Sequence, residues 1–354
     1  MTVRLDPVNL GGTLVGQGLR PYVVAEMSGN HNHSLERAFE IVDAAAAAGA
    51  HAIKLQTYTA DSLTIDSDGA DFLIDDPKSL WKNRRLYQLY QEACTPYEWH
   101  APIFARCAER GMACFSTPFD ADAVDFLERL NAPAYKVASF ENIDHALLRK
   151  VAATGKPVIM STGMASIAEL AESVSVLRAA GCKQLILLKC TSNYPAAPTD
   201  SNLATIPHMQ ALFACHVGLS DHTMGVGAAV AATALGAAFV EKHFTLRRAD
   251  GGVDSAFSLE PAELAQLVVE TERAWQALGQ VTYGPSQAEL SSLKFRRSLY
   301  VVADVAAGEP FTSANVRSIR PGFGLPPKEL TLVLGRKAAR DLTRGTALRW
   351  EHLG

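Results

Sequence analysis

Eight times between residues 20 and 280, a short apolar or β-branched run is followed by a segment of helical character. The runs are YVVAEM (22–27), AIKLQTY (52–58), ACFSTPF (113–119), AYKVAS (134–139), PVIMSTG (157–163), LILLKCTS (185–192), HVGLSDHT (216–223) and FVEKHFT (239–245). Runs of this length and composition, bounded by turn residues, read as strands. Eight strand–helix units over a span close to the ~250 residues usual for the architecture predict an α/β fold, a (β/α)8 TIM barrel.

The helix boundaries carry their own signals. Thr95-Pro96-x-Glu98 offers a capping oxygen, a pre-set φ and a reaching carboxylate before EWHAPIFARCAERG, which stops at Gly111. Ser166-x-x-Glu169 opens a segment ending at Gly181, and Asp120 and Asp144 stand where N-caps belong. Gly49, Gly155 and Gly236 occupy positions that favour a left-handed backbone after a helix.

Two segments fall outside this pattern. Residues 59–94 form an insertion between the second strand and its helix; it keeps Leu80, Trp81, Leu86, Tyr87 and Tyr90 to bury, and LWKNRRLYQLYQEA reads as helix. A long loop on that face of a barrel is expected to be a lid or a substrate wall. The Asp/Glu-rich stretch 61–76 reads as a solvated face. The barrel domain is thus assigned to residues 1–281, a Gly/Pro/Ser-containing linker to 282–295, and a small, mostly β domain to 296–354.

Charge bounds the partners. Thirty-three Lys and Arg against 37 Asp and Glu give a net charge of −4, with no basic block to meet nucleic acid or an anionic membrane. The six cysteines are scattered without a CxxC pair, as expected of reduced thiols in the cytoplasm. The most apolar stretch, 226–240, is shorter than the ~18 residues a membrane span needs.

In a barrel of this type the chemistry belongs at the C-terminal ends of the strands. Those ends read Glu26, Lys54 with Gln56, Ser116 with Thr117, Lys136 with Ser139, Ser161 with Thr162, Thr191 with Ser192, Ser220 with His222, and Glu241 with His243. A ring of lysines and hydroxyls suits a phosphate-bearing anion. Residues two apart share a face, so His222 and His243, on neighbouring strands, come within reach of one metal ion. Two imidazoles leave positions for substrate oxygens and water, as a catalytic metal requires. Spacing alone leaves alternatives open: packed, hydrogen-bonded histidines, lysines paired with Glu26 or Glu241, or a Schiff-base lysine. His31 and His33, in GNHNHS after the first strand, read equally as site residues or as exposed or capping ones.

At these strand ends the chain resembles the sialic acid synthase family, phosphoenolpyruvate-dependent enzymes that make nonulosonic acids. The resemblance runs through AEMSGNHNHS, IKLQTYTAD, FSTPFD, YKVASFEN, STGM, LKCTSNYPA, GLSDHT, EKHFT and DGGVDSAFSLEP, then through RRSLYVV and IRPGFGLPP of an antifreeze-like (SAF) domain. Within the family it is most similar to the pseudaminic acid synthases, through AEMSGNHN, SLWKNRRLYQLYQEA, TPYEWH, ASFEN and KCTSNYPA. The resemblance implies condensation of phosphoenolpyruvate with 2,4-diacetamido-2,4,6-trideoxy-L-altrose and water, giving pseudaminic acid and phosphate. An N-acetylneuraminate or legionaminate synthase is the alternative, and a Schiff-base aldolase a more distant one.

It further implies that Lys54, Thr117, Lys136, Ser139, Ser161, Ser192 and Ser220 hold phosphoenolpyruvate. His222 and His243 would bind Mn2+, or Mg2+ or Co2+, to polarise the sugar aldehyde. Glu26, Gln56, Tyr194 and Asp254 would contact the acceptor sugar, with Glu26 also in the catalytic set and Glu141 handling a proton. Arg320 would reach an acetamido group from the partner subunit of a homodimer with exchanged C-terminal domains.

Overall fold

A short antiparallel hairpin, β1 (Val8–Leu10) and β2 (Thr13–Val15), precedes the first of the eight expected strands. All eight then form: β3 (Tyr22–Glu26), β4 (Ala52–Thr57), β5 (Ala113–Pro118), β6 (Tyr135–Val137), β7 (Val158–Ser161), β8 (Leu185–Cys190), β9 (His216–Asp221) and β10 (Phe239–His243). They are parallel and close into a barrel through the pairing of β10 with β3. The computed structural model describes residues 5–354, which separate into one unit ending at Gly279 and another spanning Gln280–Gly354.

Strand alternation explains how one barrel is both packed and functional. Tyr22, Val24, Ala52, Phe115, Ala134, Ile159, Ile186, Leu188 and Phe239 pack inside it in one cluster, which the hairpin residues Val8, Leu10 and Val15 join. Two residues further along each strand the character changes: Val24 gives way to Glu26, Ala52 to Lys54, Phe115 to Thr117, Ala134 to Lys136, Ile159 to Ser161 and Phe239 to Glu241. The apolar layers fix the barrel, and the polar layer above them is carried on rigid strand ends.

The outer ring comprises α1 (Leu35–Ala47), α2 (Ala60–Leu63) and α3 (Leu86–Ala93) of the insertion, then α4 (Tyr97–Glu109), α5 (Ala121–Arg129), α6 (His145–Ala152), α7 (Ile167–Ala179), α8 (Thr205–Phe213), α9 (Gly227–Ala234) and α10 (Pro261–Leu278). Asp120 and Asp144 cap α5 and α6, and Ser166 with Glu169 completes the expected capping box of α7. Gly49, Gly155 and Gly236 take positive φ as expected. Thr95 does not cap α4: the helix starts after Pro96 with no side-chain cap, because the Thr95 hydroxyl is hydrogen-bonded to His31 Nε2 at 3.2 Å. No helix among the described residues is long and apolar enough to cross a membrane.

The insertion is less helical than its sequence suggests. Asn83 takes φ +65° and exchanges backbone hydrogen bonds through Ile74 and Arg84, so residues 73–85 turn back on themselves and α3 begins only at Leu86. Leu80 is exposed rather than buried.

The second unit has its own core of Leu299, Val301, Phe311, Val316, Leu342 and neighbours, built around the antiparallel pair β11 (Ser298–Val301) and β12 (Val316–Ile319). The segment expected to be a plain linker contains a 3-10 helical stretch, Gln287–Phe295, opened by a Ser286–Glu289 capping box.

Candidate active site

Lys54, Lys136, Ser161 and Glu241 of the polar layer line a cavity of about 410 Å3 at the C-terminal ends of the strands, whereas Glu26 and Thr117 do not line it but contact Lys54. Its floor is a buried charge cluster. Lys54 Nζ lies 2.9 Å from Glu26 Oε2, 3.5 Å from Glu241 Oε1 and 3.3 Å from Thr117 Oγ1. Lys136 Nζ donates to Ser161 Oγ at 2.7 Å and lies 3.8 Å from Glu241 Oε1, which also accepts from Ser220 Oγ at 3.1 Å. Glu241 therefore joins both ammonium groups, and its second oxygen, Oε2, is buried without a hydrogen bond.

Two carboxylates around one ammonium cannot be equally stabilised as anions. Burial opposes the Glu241 charge, but Lys136 and Lys54 outweigh it and hold its pKa below the usual carboxylate range. Burial dominates at Glu26 and raises its pKa, with the Glu241 charge adding to the effect. Burial likewise pulls Lys136 down, whereas Glu241 and Glu26 overcome burial at Lys54 and raise it.

Beside this cluster, Ser139 and Ser192 converge on Gly163. The Gly163 N–H donates to Ser139 Oγ at 3.1 Å, and a Cβ at Gly163 would collide with both hydroxyls. This close approach makes a small rim of hydroxyls, of which Ser139 lines the cavity while the predicted Ser192 does not. Glu141, on the same loop as Ser139, has a buried Oε2 with no hydrogen bond, and burial lifts its pKa to about 7 despite the nearby Lys136 charge.

The opposite side carries the histidines. The His222 and His243 rings lie 5.3 Å apart between centroids and both line the cavity. Thr191 O, 2.9 Å from His222 Nδ1, accepts its proton, which in the neutral ring leaves the Nε2 lone pair free. His243 Nδ1 is buried with no hydrogen bond, 3.6 Å from Asp254 Oδ2, and burial holds its pKa well below the ordinary value. Burial opposes the charged form of His222, but Cys190, whose Sγ lies 3.9 Å from Nδ1, outweighs it and raises the pKa, so a divalent ion taking both rings as ligands would displace a proton from His222. Among the described residues no three His, Cys, Asp or Glu side chains converge on one point, so substrate or water oxygens would complete the coordination.

Polar links run from the histidines to the charge cluster. Asp254 accepts from Ser28 Oγ; Gln56 Nε2 donates to Ser28 Oγ at 3.2 Å and to Glu26 Oε1 at 2.9 Å. The GNHNHS loop supports this arrangement from behind. Asn30 Nδ2 donates to Phe244 O and Ser258 Oγ, both at 2.9 Å, and tethers the segment bearing Asp254. His31 is buried against Thr95 and Trp99, so it packs rather than binds.

The insertion closes the side of the cavity with an apolar wall: Leu63, Ile74, Trp81, Leu86 and Leu89 line it, with Tyr58 and Tyr90. Trp81 donates its indole N–H to Val253 O at 2.9 Å and packs 5.6 Å from Tyr194, whose ring lies 4.4 Å from His222. Of the strand-end residues, Ser116, Thr162 and Thr191 are engaged elsewhere, with Thr57, Leu188 O and Asp200 O respectively. Arg320 follows β12 in the second unit and is exposed there. Glu241, expected at a strand end and as a lysine partner but given no role in binding or catalysis, is the charge that both lysines share. Ser28 and Cys190 also line the cavity and had no comparable signal.

Comparison with known proteins finds relatives along nearly the whole chain. The NeuB family model covers residues 41–283 and the SAF domain model residues 296–354. Pseudaminic acid synthase of Campylobacter jejuni is 45% identical over 328 residues, 93% of this chain and 95% of that protein. Pseudaminic acid synthase of Helicobacter pylori is 40% identical over 329 residues, 93% and 96% of the two chains. The crystal structure of N-acetylneuraminic acid (sialic acid) synthetase from Leptospira borgpetersenii superposes with a TM-score of 0.72 at 30% identity, covering 82% of this chain and 96% of that one.

Proposed function

The chain belongs to the NeuB family, and on that premise we propose that it is a pseudaminic acid synthase, joining phosphoenolpyruvate, 2,4-diacetamido-2,4,6-trideoxy-L-altrose and water to give pseudaminic acid and phosphate. The observation that carries the reading is one cavity with two lysines and a set of hydroxyls on one side, two imidazoles on the other and an apolar wall from the insertion closing its flank.

Lys54, Lys136, Thr117, Ser161, Ser220 and the Ser139–Gly163–Ser192 rim suit the phosphate and carboxylate of phosphoenolpyruvate; charge-assisted hydrogen bonds of this kind are the strong ones. They hold its methylene carbon toward the histidine side, where the open-chain aldehyde sits, and so supply orientation. As the methylene carbon bonds to the aldehyde carbon, positive character develops at the phosphate-bearing carbon. The Glu241 carboxylate, buried between the lysines, is the fixed negative charge facing it. Glu141 takes one proton of the water that adds at that carbon, and that proton is made good at the former aldehyde oxygen, which ends as a hydroxyl. The new hydroxyl at the phosphate-bearing carbon then loses its proton to the departing phosphate as the carbon–oxygen bond breaks, leaving the ketone. His222 and His243 would hold a divalent ion, Mn2+ or else Mg2+ or Co2+, which when bound supplies Lewis acidity to the aldehyde oxygen.

The apolar wall supports a 6-deoxy acceptor, since Leu63, Ile74 and Leu86 offer nothing to a hydroxymethyl group and a good surface to methyl groups. Gln56, Glu26, Tyr194 and Asp254 are the polar contacts for the sugar. We further infer a cytoplasmic homodimer in which Arg320 enters the partner's barrel. Exposed Phe140, Ile143 and Met164 on the loops around the cavity support such a cover.

Phosphoenolpyruvate labelled with 18O at the bridging oxygen tests the chemistry. The label is expected in the released phosphate, read as an isotope shift by 31P NMR. Label retained in the sugar acid, or a borohydride-trapped adduct on Lys54 or Lys136, would overturn it.

A further inference from the structure

We propose that Lys242 and Asp221 form a clamp that positions His222 and His243, an inference that rests on the assignment of those histidines as the metal-bearing pair. Both residues alternate with the site: Glu241 and His243 point into the barrel, as do Ser220 and His222, so Lys242 and Asp221 point away from it. Neither lines the cavity. They are nevertheless buried, at 1% and 4% exposure, and paired in register across β10 and β9.

The Lys242 ammonium donates to Asp221 Oδ2 at 2.9 Å, to Thr223 O at 2.6 Å and to Gly225 O at 2.8 Å. All three of its protons are thereby engaged. Asp221 Oδ1 accepts from Thr223 N at 2.9 Å, and His222 O accepts from Ala196 N at 3.0 Å. The backbone on both sides of His222 is thus tied to the residue that precedes His243.

A buried ion pair is weak evidence of stability, because desolvation opposes the Coulombic gain and an apolar pair of equal volume packs as well or better. What three acceptors around one nitrogen add is direction. They fix the turn 223–225 against the end of β10, and with it the separation of the two rings.

The test uses the full chain with Lys242→Met, and Asp221→Asn as the milder variant should the first fail to fold. Mn2+ affinity is measured without substrates by water-proton relaxation, and imidazole geometry by 15N–1H correlation of the histidine rings. Expected are an Mn2+ affinity weakened about tenfold or more, split or broadened His222 and His243 signals, an unchanged KM for phosphoenolpyruvate with lowered kcat, and partial rescue in Lys242→Arg. Unchanged Mn2+ affinity and ring signals would overturn the clamp. A parallel loss of every ligand affinity and of thermal midpoint would equally overturn it, in favour of a merely structural pair. If the wild-type protein binds no Mn2+, the metal assignment fails and the ring signals alone decide the clamp.

Discussion

Glu141 concentrates the residue-scale argument. Its carboxyl titrates near 7 in the folded chain because burial disfavours the anion, against an ordinary value of 4.5. A raised folded pKa gives stability that is fully present below the unfolded pKa and is lost as pH rises through the folded one. Glu141→Gln removes that slope. The variant should therefore gain on the wild type between pH 5 and pH 8, by about 1–3 kcal/mol once partial exposure is discounted. Thermal midpoints of both proteins across that range check it, and a constant difference would contradict it. Much of this residue-scale site was legible in the sequence, because period-two alternation places residues such as Lys54 and Gln56, or Glu241 and His243, on one face. Less legible was which charges compensate one another. That Glu241 serves both Lys54 and Lys136 depends on three strands meeting, and no local spacing encodes it.

Among the elements, the turn after β7 and the start of α7 separate binding from stability within a few residues. Gly163 lies under Ser139 and Ser192, whereas Ser166 caps α7 away from the cavity. Gly163→Ala should raise the KM for phosphoenolpyruvate tenfold or more by displacing both hydroxyls. Ser166→Ala should leave that KM unchanged and cost about 1 kcal/mol of stability. Steady-state kinetics with urea unfolding tell the two apart; an unaltered KM in Gly163→Ala would contradict the anion rim. The eight strands were readable because each is a short apolar run that turns polar at its end. Three elements were not. The β1–β2 hairpin is two three-residue strands whose apolar side chains are satisfied only by the distant barrel interior. Thr95 has the chemistry of a cap, but tertiary contact with His31 claims its hydroxyl. Residues 80–85 read as the start of a helix, yet they follow the pairing of Ile74 with Arg84 and the left-handed turn at Asn83.

On the scale of the whole molecule, the proposed domain exchange would have the small domain supply Arg320 to the barrel of the partner subunit. Two inactive variants, Arg320→Ala and Lys136→Met, should then restore partial turnover when their subunits are mixed and exchanged, since one mixed site combines an intact barrel with an intact arginine. No recovery in exchanged heterodimers would place Arg320 in its own barrel or outside the reaction. The net charge of −4 misleads at this scale. It describes the whole chain, whereas Lys54 and Lys136 gather opposite charge in one cavity that composition cannot reveal. The choice of acceptor is decided by kcat/KM for phosphate release from phosphoenolpyruvate with three sugars. These are 2,4-diacetamido-2,4,6-trideoxy-L-altrose, its manno diastereomer and N-acetylmannosamine. The altrose is expected to lead N-acetylmannosamine by about a hundredfold, the scale on which an apolar wall disfavours an added hydroxyl; equal use of the three, or a preference for N-acetylmannosamine, would rule out a 6-deoxy acceptor chosen by that wall.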